Sequence, residues 1–131
     1  MSLSALNTAL YSRIGGTITN AGTNVYFLEA PDGQALPYVV WDYTADLDEN
    51  KTPNRTRNSV LFIRSYGATQ GDAGTLDGQI DALLHNKELT VTGWSNFWLM
   101  REGGYSLPET DAAGKTIFMV ASEYRVRLGK T

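Results

Sequence analysis

Val25-Tyr26, then Ala30-Pro31, then Ala35-Leu36-Pro37-Tyr38-Val39-Val40-Trp41 follow one another before any reactive set of side chains appears. The first and last of these runs read as apolar strands. Pro31-Asp32-Gly33 between them is a turn with a mechanism, since proline presets φ and glycine accepts a positive one. Pro37 opens the second strand, where a missing N–H does least harm. The stretch from Tyr38 to Thr44 carries β-branched and aromatic residues, as a strand prefers. The stretch therefore predicts a buried β-hairpin, and it points to a scaffold instead of a reaction centre.

Upstream of it, Leu3, Leu6, Leu10 and Ile14 recur three or four apart, which predicts an amphipathic helix over 3–14. Ser2 or Ser4 suits its N-cap and Gly15-Gly16 its end. Residues 17–24 are polar and turn-rich. Downstream, residues 45–58 turn polar for about fourteen positions, a length that marks a functional or disordered connection. Residues 59–66 follow as a strand whose continuous Val60-Leu61-Phe62-Ile63 core suggests a central place in the sheet. A second helix opens at Thr69 or Asp72, with Ala73, Leu76, Ile80, Leu83 and Leu84 inward and Asp77, Gln79, Asp81 and His85 outward. Residues 89–92 and 97–101 are short strands around Gly93-Trp94, and Gly103-Gly104 ends the second of them. Residues 107–115 form another polar connection. The last strand, 117–128, alternates: Phe118, Val120, Tyr124, Val126 and Leu128 line one face, while Glu123, Arg125 and Arg127 line the other. The fold class is α+β, one domain over 1–131 in the order α-β-β-β-α-β-β-β. Two helices packed on one face of a mostly antiparallel sheet leave the opposite face for solvent or a partner.

Bulk properties narrow the function. A chain of 131 residues that is 42% hydrophobic buries one core without staples. The formal charge of -3, with basic residues scattered, argues against nucleic-acid binding, which needs concentrated Lys and Arg. The apolar runs are far too short to span a bilayer, and no basic start with a long apolar block follows Met1. These features predict a soluble, non-secreted protein. The absence of cysteine removes disulfides, thiolate metal sites and one class of nucleophile.

No constellation carries chemistry. The single histidine, His85, sits among Asn86, Lys87 and Glu88 at a helix C-terminus, where a cation is favoured by the helix dipole. Zinc sites need more His or Cys than the chain has. Asp46, Asp48 and Asn50 start like a calcium loop, but Lys51 and Arg57 stand where glycine and glutamate belong. Gly67, Gly71 and Gly74 suggest a phosphate loop, yet no Gly-Lys-Ser/Thr follows, so they read as turn residues. Asn54-Arg55-Thr56 fits a glycosylation sequon without the secretion that would use it. Glu29, Asp32, Glu109 and Asp111 read as solvated loop carboxylates. Trp41, Trp94, Trp98, Tyr105 and Tyr124 suit either core packing or subunit contact.

The order and spacing of these core and turn positions resemble the tail-completion (tail-terminator) proteins of long-tailed bacteriophages over almost the full chain. The likeness rests on the N-terminal helix, Ala30-Pro31-x-Gly33-x-Ala35-Leu36-Pro37-Tyr38-Val39-Val40-Trp41 and Val60-x-Phe62-x-Arg64-x-Tyr66-Gly67. It continues through Ala73-x-x-Leu76-x-x-x-Ile80-x-x-Leu83-Leu84 to Tyr124-Arg125-Val126-x-Leu128. The resemblance implies a virion subunit assembled in the bacterial host cytoplasm. Such proteins form a ring, typically of six copies, on the head-proximal end of the tail tube. The ring stops tube polymerisation and offers the head its attachment surface. Implied partners are further copies of the chain, the tail tube protein and head–tail connector proteins, with no membrane and no sequence-specific nucleic acid. No catalytic, cofactor or metal residue is implied. A head–tail connector, neck or minor tail protein of the same particle is the neighbouring expectation.

Subunit contacts are expected on the exposed sheet edge and on residues 46–57. There Asp46, Asp48 and Glu49 in front and Lys51, Arg55 and Arg57 behind are able to pair between copies. Two readings come from other classes. A small-ligand binder would line a pocket in the curved sheet with the aromatics. A hydrolase lacks the His or Cys chemistry it needs.

Overall fold

A computed structural model of the protein describes residues 2–16, 19–49, 56–111 and 113–130. Its elements are α1 (Ser2–Ile14), β1 (Val25–Phe27), β2 (Tyr38–Glu49), β3 (Thr56–Gly67), α2 (Gln70–Leu84), β4 (Thr90–Val91), β5 (Trp94–Thr110) and β6 (Thr116–Lys130). The class and the element order are those expected from the sequence. The strands form one sheet in the order β1-β2-β3-β6-β5-β4. All pairings are antiparallel except β1 with β2.

That exception corrects the hairpin reading. Val25, Tyr26 and Phe27 pair in parallel with Val39, Val40 and Trp41, so residues 28–37 form a crossover. The expected turn exists, with Gln34 N–H donating to Pro31 O and Gly33 at φ 75°. It lies inside a longer connection that crosses the sheet face opposite the helices. Ala30 and Leu36 of that connection pack on Val40, Tyr66, Ile117, Met119 and Ala121. Burial of those two side chains favours the crossing over a tight reversal.

Both helices cover the other face. Leu6, Leu10 and Ile14 of α1 and Leu76, Ile80 and Leu84 of α2 are buried against Leu61, Ile63, Leu99, Tyr124, Val126 and Leu128. Full burial of such a side chain contributes about 1.5–3 kcal/mol relative to exposure. Thr69 caps α2, its Oγ1 accepting from Asp72 N at 3.1 Å. Gly67 allows the close approach at the β3–α2 corner, where a Cβ would lie 2.7 Å from Ala73 N. Gly71 and Gly74, expected as turn residues, are exposed positions within α2.

Other boundaries move outward from the sequence reading. The described residues of the polar stretch 45–58 are strand: β2 runs on to Glu49, and β3 starts at Thr56, paired with both Glu49 and Gly129. Continuation of the ladder into β6 overrides the weak strand preference of Asp and Asn. Gly103-Gly104 does not end β5 but follows a bulge between Arg101 and Gly103, after which the strand continues to Thr110. Asp77 and Asp81 do not simply face out, because their carboxylates reach the sheet. Phe118 and Val120 are only half-buried, whereas Ile117, Met119 and Ala121 on the opposite face are buried beneath the crossover.

Candidate functional site

The polar groups at the helix–sheet junction are closed off. Asp77 Oδ1 accepts from Ser122 Oγ at 2.6 Å, and Ser122 Oγ accepts from Arg101 Nε at 3.2 Å. Burial raises the Asp77 carboxyl above its ordinary value, against the lowering effects of the Ser122 hydrogen bond and Arg101. Asp81 accepts from Tyr124 O–H at 2.9 Å, and burial and that bond push the Tyr124 phenol upward. Ser122 is fully buried, so a serine–aspartate pair exists here without access for a substrate. The set fastens α2 to β6.

His85 serves the same junction. It is the C-cap of α2, and its Nδ1 accepts from Arg101 N at 3.0 Å. Asn86 N–H donates to Leu99 O at 2.7 Å. The end of α2 thus occupies the outer edge of β5 at residues 99–101, much as a further strand would. Among the described residues no three His, Cys, Asp or Glu gather to hold a metal, and no helix is long and apolar enough to cross a membrane.

What the molecule leaves open is the face opposite the helices and parts of two sheet edges. On the open face Tyr105 is 49% and Leu107 43% exposed, with Phe62 beside Tyr105 at 5.8 Å between ring centroids. Arg64 and Asp42 pair at 3.5 Å, and Arg125 meets Glu102. A cleft of about 380 Å³ lies where the crossover meets the β5–β6 turn, lined by Pro31, Gln34, Tyr38, Tyr66, Glu109 and Ile117. Tyr38 and Tyr66 stack at 4.7 Å. Burial, opposed by Arg64 and reinforced by Glu109, pushes the Tyr66 phenol up to about 12.

The expected contact residues divide. Asp46, Asp48 and Glu49 stand on β2, opposite Ser59, Arg57 and Thr56 of β3. Asp48 of the acidic front and Arg57 of the basic back are therefore register partners on neighbouring strands of one chain. Lys51 and Arg55 lie outside the described residues, as do Asn50 and Asn54. Of the aromatics, Trp41, Trp94 and Tyr124 are core, and Trp41 Nε1 donates to Asn7 Oδ1 at 3.1 Å. Tyr105 is exposed, and the Trp98 side chain lies outside what the structure describes. Leu107 was missed because residues 107–115 read as a connection; the alternation of Tyr105, Leu107 and Glu109 was the signal that marks a strand face.

No family profile matches this chain, and no curated protein matches it by sequence. Its fold is similar to that of a solved chain described as "Virion of native gene transfer agent (GTA) particle". The TM-score is 0.80 with 16% sequence identity, covering 98% of this chain and 97% of the other.

Proposed function

We propose that this protein is a structural virion subunit of a phage-like particle. It forms a ring on the head-proximal end of the tail tube, ends tube polymerisation and presents the surface to which the head attaches. The observation that carries the reading is the end-to-end fold likeness to a chain from a virion, with almost nothing left over on either side. The motif resemblance adds the tail-terminator role, and the exposed sheet face and edges supply surface for partners. The work is geometric. One heterologous contact, repeated about an axis, closes into a ring; a contact that failed to close would grow a filament. The partners are further copies of the chain, the tail tube protein and the head–tail connector proteins, and no reaction is catalysed.

Particle morphology in a deletion strain tests this. Overlong or headless tails are expected. DNA-filled heads beside finished tails of normal length would instead identify a neck or connector protein. Reversal of Arg55 and Arg57 to glutamate is expected to weaken assembly at matched concentration with the fold intact. An unaltered oligomer would remove charge pairing by these two arginines from the contact.

A further inference from the structure

Each side of the sheet ends in a partly covered strand. β1 covers β2 only at 39–41, so among the described residues β2 has no outer strand partner as it runs on to Glu49. β4 covers β5 only at Trp94–Ser95, and the end of α2 covers 99–101; from Gly103 to Thr110 the outer edge has no partner among the described residues. The two bare stretches lie on opposite sides of the sheet and toward opposite ends of the strands. One molecule cannot bring them together, but a second copy can.

The backbone phase of each edge follows from bonds already described. In antiparallel sheets, residues directed to one neighbour alternate with residues directed to the other. Leu99 O and Arg101 N face outward, toward α2, and the bulge after Arg101 shifts the phase by one. Asp111 N–H donates inward to Lys115 O at 2.9 Å, which independently leaves Gly104, Ser106, Pro108 and Thr110 directed outward. Pro108 has no N–H and sits at an outward position, as proline in an edge strand must. On β2, Val39 N and Trp41 O face β1, and the irregularity between Tyr43 and Ala45 then directs Asp46 and Asp48 outward.

We infer that copies of this chain join edge to edge, β2 of one pairing antiparallel with β5 of the next, Asp46 opposite Ser106 and Asp48 opposite Gly104. Sheet direction fits, because β2, β3, β6 and β5 alternate and a rotationally repeated copy continues the alternation. In this register each outward residue offers both N–H and C=O. A shift of two would set Pro108 against Asp46 and lose a bond. Exposed Tyr105 and Leu107 beside the edge are the apolar surface that folded monomers keep off bare strands. The inference deepens the assembly reading above and rests on it only for closure into a ring.

Two variants test it. Leu47 and Tyr105 become a non-hydrogen-bonded pair across the new ladder, where Cα atoms lie about 4.5 Å apart, within disulfide reach. Within one chain β3 and β6 separate them, and the protein has no cysteine of its own. Mild oxidation of the double variant Leu47→Cys, Tyr105→Cys is expected to give an intermolecular ladder at least about tenfold stronger than Leu47→Cys, Thr110→Cys. No ladder, or equal ladders, overturns the pairing. Ser106→Pro deletes an outward N–H without touching the β5–β6 bonds, and it should weaken self-association about tenfold at unchanged melting temperature. Unchanged association overturns the pairing as well. Cross-linked open chains would sustain the edge pairing and sink ring closure; rings that survive both negative results would do the reverse.

Discussion

The two faces of the sheet are built from the same strands but finished differently. On the helix side, Leu61, Ile63, Leu99, Tyr124, Val126 and Leu128 are closed by α1 and α2. Opposite them, Met119 and Ala121 are buried only where the crossover passes, while Tyr105 and Leu107 stay largely exposed. The first face is closed within one chain except toward Phe118 and Val120, which stay half-buried. The second is complete only where ten residues of loop reach it, and what remains is surface suited to another molecule.

The contrast breaks if side chains of equal size carry equal weight on both faces. Leu76→Ala, at a fully buried position of α2, is expected to lower unfolding free energy by about 3 kcal/mol. Leu107→Ala should stay within about 0.5 kcal/mol. Urea denaturation of the two variants makes the comparison. Tyr124→Phe removes the bond to Asp81 and should remove about 1 kcal/mol by the same measurement.

Asp77 sharpens the comparison by pH. Burial raises its folded-state pKa above 3.8, so the folded chain holds the proton more tightly than the unfolded one. The contribution of this group to stability is fully present below 3.8 and is lost as pH rises through the folded-state value. Asp77→Asn keeps an oxygen for Ser122 and should flatten that slope in melts taken across mildly acidic pH. A slope that survives unchanged would assign it to other groups. The smallest effect belongs to the open face: Tyr105→Ser with Leu107→Ser should leave the monomer within about 0.5 kcal/mol of the parent. Light scattering across a concentration series should nevertheless show weaker self-association.

Periodicity made the elements legible. Leu6-Leu10-Ile14 and Leu76-Ile80-Leu84 announced the helices, and Val60 to Ile63 announced an interior strand. The ends of strands were not legible. Glu49 and Thr56 are strand residues because the ladder continues through Gly129, a partner far away in the chain. Likewise, nothing local to Val25-Tyr26-Phe27 says that it pairs in parallel, since that depends on Ala30 and Leu36 finding an apolar bed on the far face. Of the candidate contact surface, the acidic positions Asp46 and Asp48 were readable as unusual. Their outward backbone phase was not, because it is set by a bulge two residues earlier.

One consequence of the strand order concerns synthesis. β6, made after the other five strands of this sheet, lies between β3 and β5 and is their shared neighbour. A nascent chain that has reached only residue 115 holds two unlinked pieces, β1-β2-β3 and β4-β5. Until Thr116–Lys130 leave the ribosome, β3 and β5 each expose an unpaired flank. The protein therefore cannot acquire its sheet from the N-terminus onward; it folds as a keystone arch stands, once the last block is set.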